Sequence, residues 1–156
     1  MNNNEVRIEE TFNASPERVF SAWTDPEKLM KWYAPDGCTI HVKKIKVETG
    51  EHFHYCISNP QFGDCWCIGE YKEVSPHTKI VFTLMNADEN GHPINPVDIG
   101  MDPDWPAETL VTVTFKEENG KTRLTLQQTV AQEIAQRTGA YPSWLQMLNH
   151  LQTTLQ

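Results

Sequence analysis

Apolar and polar residues alternate over most of the chain with the period that is typical of β-strands. The first stretch places Val6, Ile8 and Phe12 on one side, with polar neighbours between them. Further along the chain the alternation returns in segments that turn residues separate. The pattern therefore predicts one N-terminal strand and six later strands. The later strands contain Ile40 and Val42, Phe53 to Ile57, Cys65 to Val74, Ile80 to Leu84, Thr109 to Lys116, and Thr122 to Gln128.

Two short helices are predicted between the first strand and the second. Ser15 followed by Pro16 is typical of a helix N-terminus, because the hydroxyl caps a free backbone N–H and proline fits the first turn. Apolar residues at helical spacing follow. Asp25 and Pro26 repeat the signal and predict a second short helix, which ends at the turn residues 34–37.

The C-terminal segment has the spacing of an amphipathic helix. Trp144, Leu148 and Leu151 recur every three or four residues and would form one buried stripe. We therefore expect one helix from Gln132 to Gln156. A curved antiparallel sheet of about seven strands around this helix would bury the stripe and give an α+β fold.

Three interruptions of the pattern predict local features. Ile40–Val42 and Ile45–Val47 have opposite parity, so a bulge near Lys43–Lys44 would keep both pairs facing inward. Asn119–Gly120 favours a tight hairpin turn. Residues 86–106 are polar, rich in proline and without a period, so we expect a long loop of the kind that acts as a lid or binding element.

Length and composition indicate one globular domain over residues 1–156, since 38% of the residues are apolar and 22% are charged. No apolar run approaches the roughly 20 residues that span a bilayer, and Met1–Glu10 does not resemble a signal peptide. We therefore expect a cytoplasmic protein with no membrane span. The net charge of −8, with Lys43, Lys44 and Lys46 as the only basic cluster, argues against nucleic-acid binding.

The four cysteines are expected to be reduced thiols, because cytoplasmic proteins rarely keep disulfides. A metal site is the alternative. Residues two apart in a strand point to the same face, so Cys65 and Cys67 would converge with His52 and His54 if the two pairs shared a face. The spacing differs from the Cys-x-x-Cys of common zinc sites. We therefore predict packed thiols and no metal.

Recognised catalytic motifs are absent from the sequence. It contains no Gly-x-Ser-x-Gly, no phosphate-binding glycine loop and no His-Glu-x-x-His, so we assign no catalytic residue and no cofactor. Glu10 is the most unusual charge, because it shares parity with Ile8 and Phe12. Its side chain either points inward, where a carboxylate needs a partner or a raised pKa, or lies at an exposed strand end.

Several motifs, taken in order, resemble those of the START-like (SRPBCC) superfamily. Within it they are most similar to the C-terminal domain of the activator of heat-shock protein 90 ATPase. The resemblance spans nearly the whole chain. The motifs are Phe12-Asn13-Ala14-Ser15-Pro16, Val19-Phe20, Ala22-Trp23-Thr24-Asp25-Pro26, Trp32-Tyr33-Ala34-Pro35, Gly69-Glu70-Tyr71-Lys72-Glu73-Val74, Val81-Phe82-Thr83, Thr109 to Phe115, Thr122 to Leu126, and Trp144 to Leu151.

This resemblance implies a helix-grip fold, like that of the birch-pollen allergen, with a hydrophobic cavity between the sheet and the long C-terminal helix. Relatives bind lipids, sterols or polyketides, and a minority are cyclases or aromatases. The chain departs from the family pattern at Glu10, where relatives often carry a basic residue, and at Gly50–Glu51, which replaces a common Gly-Gly pair. The resemblance also implies a packing role for Gly69 and Tyr71.

The resemblance implies that the chain binds a small hydrophobic or amphipathic ligand, lipid-like or polyketide-like, in that cavity. The alternatives are an enzyme of the cyclase or aromatase type and a protein-interaction module that contacts a chaperone. Glu10 and Arg123 are the expected polar contacts. The residues expected to line the cavity are Trp23, Trp32, Phe53, Tyr55, Tyr71, Phe82, Trp105, Val113, Trp144, Leu148 and Leu151.

Overall fold

The computed structural model describes residues 4–156, in which seven strands form one antiparallel sheet. Residues 1–3, which belong to the expected single domain, lie outside the described range. The strands are β1 (Glu5–Phe12), β2 (Thr39–Lys44), β3 (His52–Asn59), β4 (Gly63–Ser75), β5 (Lys79–Ala87), β6 (Glu108–Glu118) and β7 (Lys121–Ala131). Their order across the sheet is β1-β7-β6-β5-β4-β3-β2, so β2 to β7 form a meander that returns to β1.

The helices occupy the expected places in the chain. They are α1 (Pro16–Thr24), α2 (Pro26–Leu29), α3 (Gln132–Thr138) and α4 (Ala140–Thr154). A curved sheet with two short helices after its first strand and a helix at the C-terminus confirms the predicted α+β helix-grip fold. Within residues 4–156, no helix combines the length and the apolar character needed to cross a membrane.

Both predicted helix starts are confirmed. The Ser15 hydroxyl accepts a hydrogen bond from the backbone N–H of Arg18 at 3.3 Å, and Pro16 is the first residue of α1. The Asp25 carboxylate accepts a hydrogen bond from the backbone N–H of Glu27 at 3.0 Å and begins α2. Asp25 itself is extended, so the chain changes direction between the two helices.

The sheet contains the predicted bulge and hairpin turn. The register of β2 on β3 shifts between Val42 and Lys44, and both Ile45 and Val47 pack against the core beyond the shift. Asn119–Gly120 joins β6 to β7 with φ angles of 55° and 81°. Two successive residues with positive φ are the signature of the tight turn that matches strand twist.

The C-terminal segment differs from the expected single helix. Gly139 has a φ angle of 90°, in the left-handed region, and ends α3 before α4 begins. Glycine reaches this conformation without the clash that a Cβ atom would cause. As a result α3 packs beside β1 and β7, and α4 alone carries the buried stripe.

The segment between β5 and β6, residues 88–107, matches the expected long loop and contains one short 3₁₀ helix. An ion pair attaches it to α3. The guanidinium of Arg137 donates to both carboxylate oxygens of Asp102, at 2.7 and 3.0 Å, and to Asp104 at 3.1 Å. A bidentate pair of this kind fixes the relative orientation of the two side chains, in addition to the attraction between their opposite charges. Trp105 is therefore held in a segment that α3 anchors.

Gly69 lies where neighbouring strands leave no room for a side chain on β4. A Cβ atom at this position would overlap the ring of Phe53 on β3 and the backbone carbonyl oxygen of Thr83 on β5. The carbonyl oxygen belongs to a paired strand, so it has no room to move away. This geometry gives Gly69 a packing role, as the family resemblance implies.

We expect Gly69→Ala to lower the free energy of unfolding by about 1–3 kcal/mol, because it inserts a methyl group into a filled space. Chemical denaturation followed by circular dichroism measures this value. Lys72→Ala, an exposed position on the same strand, is the control and should change stability by less than about 0.5 kcal/mol. Equal stability of the two variants would contradict the close packing.

Candidate functional site

An open pocket of about 270 Å³ lies between the sheet and the first turns of α4, and we call it the α4 pocket. Strands β3, β4 and β5 supply one wall, α4 supplies another, and the loop before β6 borders it. The lining is mainly apolar with a few polar groups. Its residues are Tyr33, Pro35, Tyr55, Ile57, Cys65, Cys67, Leu84, Met85, Asn86, Met101, Trp105, Thr109, Gln128, Ala140, Ser143, Trp144 and Met147.

Three aromatic rings form the buried part of the α4 pocket. The ring of Tyr33 meets the ring of Tyr55 edge-on, with centroids 5.6 Å apart, and meets Trp144 in the same way at 6.0 Å. All three side chains are buried. Edge-to-face contacts orient rings as well as burying them, so this surface is preformed.

A buried chain of hydrogen bonds fixes one wall. The indole Nε1–H of Trp144 donates to the Gln128 side-chain oxygen at 2.9 Å, and the Gln128 amide nitrogen donates to the Thr109 hydroxyl at 3.1 Å. Gln128 and Thr109 are each only 2% exposed. Because buried polar groups are costly when unpaired, this arrangement holds Trp144 in one position.

Two buried tyrosines bring hydroxyl groups into the apolar lining. The hydroxyls of Tyr33 and Tyr55 interact with each other, and Tyr55 also interacts with the thiol of Cys67. Burial raises the pKa of both tyrosines well above the ordinary value. At neutral pH both therefore remain protonated and can donate hydrogen bonds.

The thiols of Cys65 and Cys67 have opposite character. A hydrogen bond from Cys67, supported by one from the Asn86 amide, lowers the pKa of Cys65 to about 7 despite the opposing effect of burial. The Asn86 nitrogen lies 3.6 Å from the Cys65 sulfur. The same thiol–thiol bond, together with burial, raises the pKa of Cys67 well above its usual value. At neutral pH Cys65 is partly ionised and Cys67 keeps its proton.

A second, much smaller cavity lies deeper in the core, with space of about 20 Å³. That is enough for one water molecule. Trp23 borders it, and its indole N–H has no hydrogen-bond partner among residues 4–156. The other residues around this cavity are Leu29, Tyr33, Ile45, Phe53, Tyr55, Tyr71, Ile80 and Phe82.

The residues expected from the sequence to line a single cavity are divided between these two spaces and the packed core. Tyr55, Trp105 and Trp144 border the α4 pocket. Trp23, Phe53, Tyr71 and Phe82 border the small cavity, together with Tyr55. Trp32, Val113, Leu148 and Leu151 border neither of them and fill the core.

The two expected polar contacts lie away from the α4 pocket. Glu10 is half-buried on β1, opposite Leu124 of β7. Arg123 is exposed and forms an ion pair with Glu118 at 3.3 Å. Neither side chain borders the pocket, so we leave both out of the proposed binding set.

Sequence reasoning missed several polar residues of the α4 pocket. Gln128 has the same parity as Leu124 and Leu126 on β7, and this shared parity is the signal that would have placed it inside. Cys67 lies opposite Tyr55 in the β3–β4 pairing, so its inward direction required the register. Asn86 has the same parity as Phe82 and Leu84 on β5, so the same signal, continued to the end of the strand, would have placed it inside.

The strand register shows whether the two thiols and the two histidines could share a metal ion. Cys65 lies opposite Ile57 and Cys67 opposite Tyr55, whereas His52 and His54 lie opposite Glu70 and Ile68. The thiols and the histidines therefore point to opposite faces of the sheet. In the part of the chain that the structure describes, no three His, Cys, Asp or Glu side chains are grouped closely enough to hold a metal ion.

We expect Gln128→Leu to lower the free energy of unfolding by about 1–3 kcal/mol, because it leaves the buried indole N–H of Trp144 without a partner. Denaturant titration measures the change. Gln127→Leu, the exposed neighbour on the same strand, is the control and should alter stability little. A loss no larger than that of the control would show that the hydrogen bond does not hold Trp144.

The two neighbouring tryptophans of the core offer a matched comparison. The indole N–H of Trp32 donates to the Ala22 carbonyl at 3.0 Å, whereas that of Trp23 is unpartnered within residues 4–156. Both rings are buried, so replacement by phenylalanine removes similar volume. We expect Trp32→Phe to be more destabilising than Trp23→Phe by about 1 kcal/mol. Thermal and chemical unfolding of the two variants tests this, and the reverse order would refute it.

Comparison with known proteins gives one family match. The family model described as Activator of Hsp90 ATPase homolog 1-like protein matches residues 13–156. No curated protein sequence matches the chain significantly.

Solved structures share the fold over nearly the whole chain. A solution structure from Staphylococcus epidermidis is 26% identical, with a TM-score of 0.78, and the alignment covers 97% of this chain and 89% of that one. A crystal structure from Mycobacterium smegmatis is 21% identical, with a TM-score of 0.81 and coverage of 98% and 91%. The AHSA1 protein from Silicibacter pomeroyi is 22% identical, with a TM-score of 0.74 and coverage of 97% and 96%.

At 21 and 22% identity, the two crystal structures show the fold alone. The family model is stronger evidence for the family, because it matches residues 13–156. This range includes the two short helices, strands β2 to β7, the thiol pair and α4. The chain therefore belongs to the family of Activator of Hsp90 ATPase homolog 1-like proteins, within the START-like (SRPBCC) superfamily.

Proposed function

We propose that the chain binds a small hydrophobic or amphipathic molecule in the α4 pocket. The observation that carries this proposal is an open space of about 270 Å³ with an apolar lining, at the place where the helix-grip fold separates the sheet from its C-terminal helix. Sites for small molecules are typically concave and apolar with a few oriented polar groups. The α4 pocket has this composition.

The distribution of lining residues favours an amphipathic ligand. Met85, Met101 and Met147 offer flexible apolar surface that adapts to the shape of a ligand. The protonated hydroxyls of Tyr33 and Tyr55 offer hydrogen-bond donors at the buried end. A ligand with a carbonyl or similar acceptor at one end and a hydrocarbon body would satisfy both parts of the lining.

The volume favours a small ligand. Pockets for drug-sized molecules commonly have volumes of about 300–1,000 Å³, and the α4 pocket, at about 270 Å³, lies just below that range. A short chain or a single ring system therefore fits better than a sterol. Trp105 and Met101 belong to the loop that Arg137 anchors, so ligand access depends on this loop.

The two alternative functions would use different parts of the molecule. A cyclase or aromatase reaction would use the tyrosine hydroxyls and the thiols of the α4 pocket as proton donors and acceptors. A chaperone contact would use exposed apolar surface, and the observation that favours it is the exposure of Val97 and Ile99, at 51% and 47%, on the short 3₁₀ helix of the loop.

Saturable binding is expected for linear 2-ketones, with affinity rising about fourfold per methylene until the pocket is filled, because each buried methylene contributes about 0.8 kcal/mol. Isothermal titration calorimetry with 2-heptanone and 2-nonanone measures this dependence. Native mass spectrometry of the purified protein detects any ligand that remains bound. A ketone recovered with altered mass would indicate catalysis instead of simple binding.

Leu84→Trp is the variant that tests the location. It places a larger ring in the α4 pocket and should reduce affinity at least tenfold without unfolding the protein. Leu110→Trp is the matched control, because Leu110 is exposed on β6 and does not border the pocket. Absence of saturable binding, or equal affinity in both variants, would overturn the proposed function.

A further inference from the structure

We propose that the α4 pocket accepts ligands that carry an α,β-unsaturated carbonyl group, and that the sulfur of Cys65 adds covalently to their β-carbon. The inference rests on the proposed function, because it names a ligand class for the same pocket. It is argued from the position of the thiol pair, from the groups that bond to the two sulfurs and from the apolar lining beside them.

The position of the two thiols distinguishes them from the other cysteines. Cys65 and Cys67 are two residues apart on β4, so both side chains project to the inner face, and both border the α4 pocket. Cys65 is also exposed to solvent, which gives a ligand access to its sulfur. Cys56 is buried and borders none of the pocket, and Cys38 lies outside it with a hydrogen bond from Asn59 at 3.4 Å.

The neighbours of Cys65 favour its ionised form. The Asn86 amide donates to its sulfur at 3.6 Å, and the Cys67 thiol also hydrogen-bonds to it. Together they lower its pKa to about 7, so part of the Cys65 population is thiolate at neutral pH. An ordinary cysteine is only a few per cent ionised at that pH, and the thiolate is the nucleophile.

The groups around the pair match the ligand class. The hydroxyl of Tyr55, which lies opposite Cys67 in the β3–β4 register, and that of Tyr33 beside it both stay protonated, and because Tyr55 donates to Tyr33, the Tyr33 proton is available to a carbonyl oxygen. Trp105 and Leu84 provide apolar surface for a hydrocarbon tail. A saturated ligand would use the apolar surface and the hydroxyl, whereas an unsaturated carbonyl compound would use the thiolate as well.

The reaction is a conjugate addition and requires no oxidant and no leaving group. The proton of Cys65 passes to solvent, and the sulfur forms a C–S bond to the β-carbon. The π bond of the C=C group breaks and its electron pair moves toward the carbonyl oxygen as an enolate. The enolate takes a proton from water at the α-carbon. The net change is addition of one S–H across one C=C bond.

The test compares two enones and one saturated ketone with the full chain. Trans-3-nonen-2-one has the long tail, trans-3-penten-2-one has a short tail, and 2-nonanone cannot react. Intact-protein mass spectrometry over time measures adduct formation, and peptide mapping assigns the modified cysteine. We expect one adduct, on Cys65, formed with the long enone at least tenfold faster than with the short enone after correction for their rates with glutathione.

Variants separate the roles of the two thiols. Cys65→Ser should abolish the fast adduct, and Cys38→Ser, outside the pocket, should leave its rate unchanged. Cys67→Ala removes the hydrogen bond that favours the thiolate, so the midpoint of the rate against pH should move above 7 and the rate at pH 7 should fall. Reversible binding of 2-nonanone should be unchanged in Cys38→Ser, and circular dichroism of Cys65→Ser and Cys67→Ala checks that these two pocket variants remain folded.

Two outcomes overturn the inference in different ways. If 2-nonanone binds but Cys65 reacts no faster than glutathione, the inference fails and the proposed function stands. If 2-nonanone does not bind and Cys65 reacts equally with both enones after correction, the pocket does not select ligands, and the proposed function and the inference fail together.

Discussion

The hydrogen bond between Trp144 and Gln128 defines the boundary between the filled core and the α4 pocket. It joins the first turns of α4 to the inner face of β7, at 2.9 Å, in a place where an unpaired polar group would be costly. Beyond it along α4, Leu148 and Leu151 are buried and leave no gap. The indole face of Trp144 borders open space, together with Ala140, Ser143 and Met147 of the same helix. One buried polar contact thus separates a packed half of the helix from a half that is available to a ligand.

The ionisable groups of the pocket have pKa values that are shifted in opposite directions. Tyr33 and Tyr55 lose contact with water without gaining a positive charge, so their pKa values rise and they remain hydrogen-bond donors. Cys65 keeps contact with solvent and gains two hydrogen bonds, so its pKa falls. The same small space therefore contains neutral donors and a nucleophile. This combination suits ligand recognition, and no histidine within residues 4–156 borders the pocket.

An ion pair attaches the loop beside the pocket to α3. Arg137 bonds to both oxygens of Asp102, and this contact lowers the pKa of the Asp102 carboxyl below its ordinary value. A group with a depressed pKa stabilises the folded contact above its ordinary pKa, and that contribution is lost as the pH falls through the depressed value. The loop is therefore anchored at neutral pH and weakened only under acidic conditions. The exposure of the pair means that salt screens it.

The sequence by itself determined the strands, the helix starts, the bulge before Ile45 and the Asn119–Gly120 turn, because side-chain direction and backbone preference depend on residues that are close in the chain. The break at Gly139 also had a local signal, because a glycine lies inside the helical pattern. The apolar spacing of the C-terminal segment led to the prediction of one continuous helix instead. Only the tertiary structure decided which buried residues border a space. Trp144 and Leu148 have the same helical periodicity, yet one borders the pocket and the other fills the core. The reason is physical: a pocket is the small volume that remains after large side-chain volumes have packed, and strand register, not residue pattern, sets which side chains meet there.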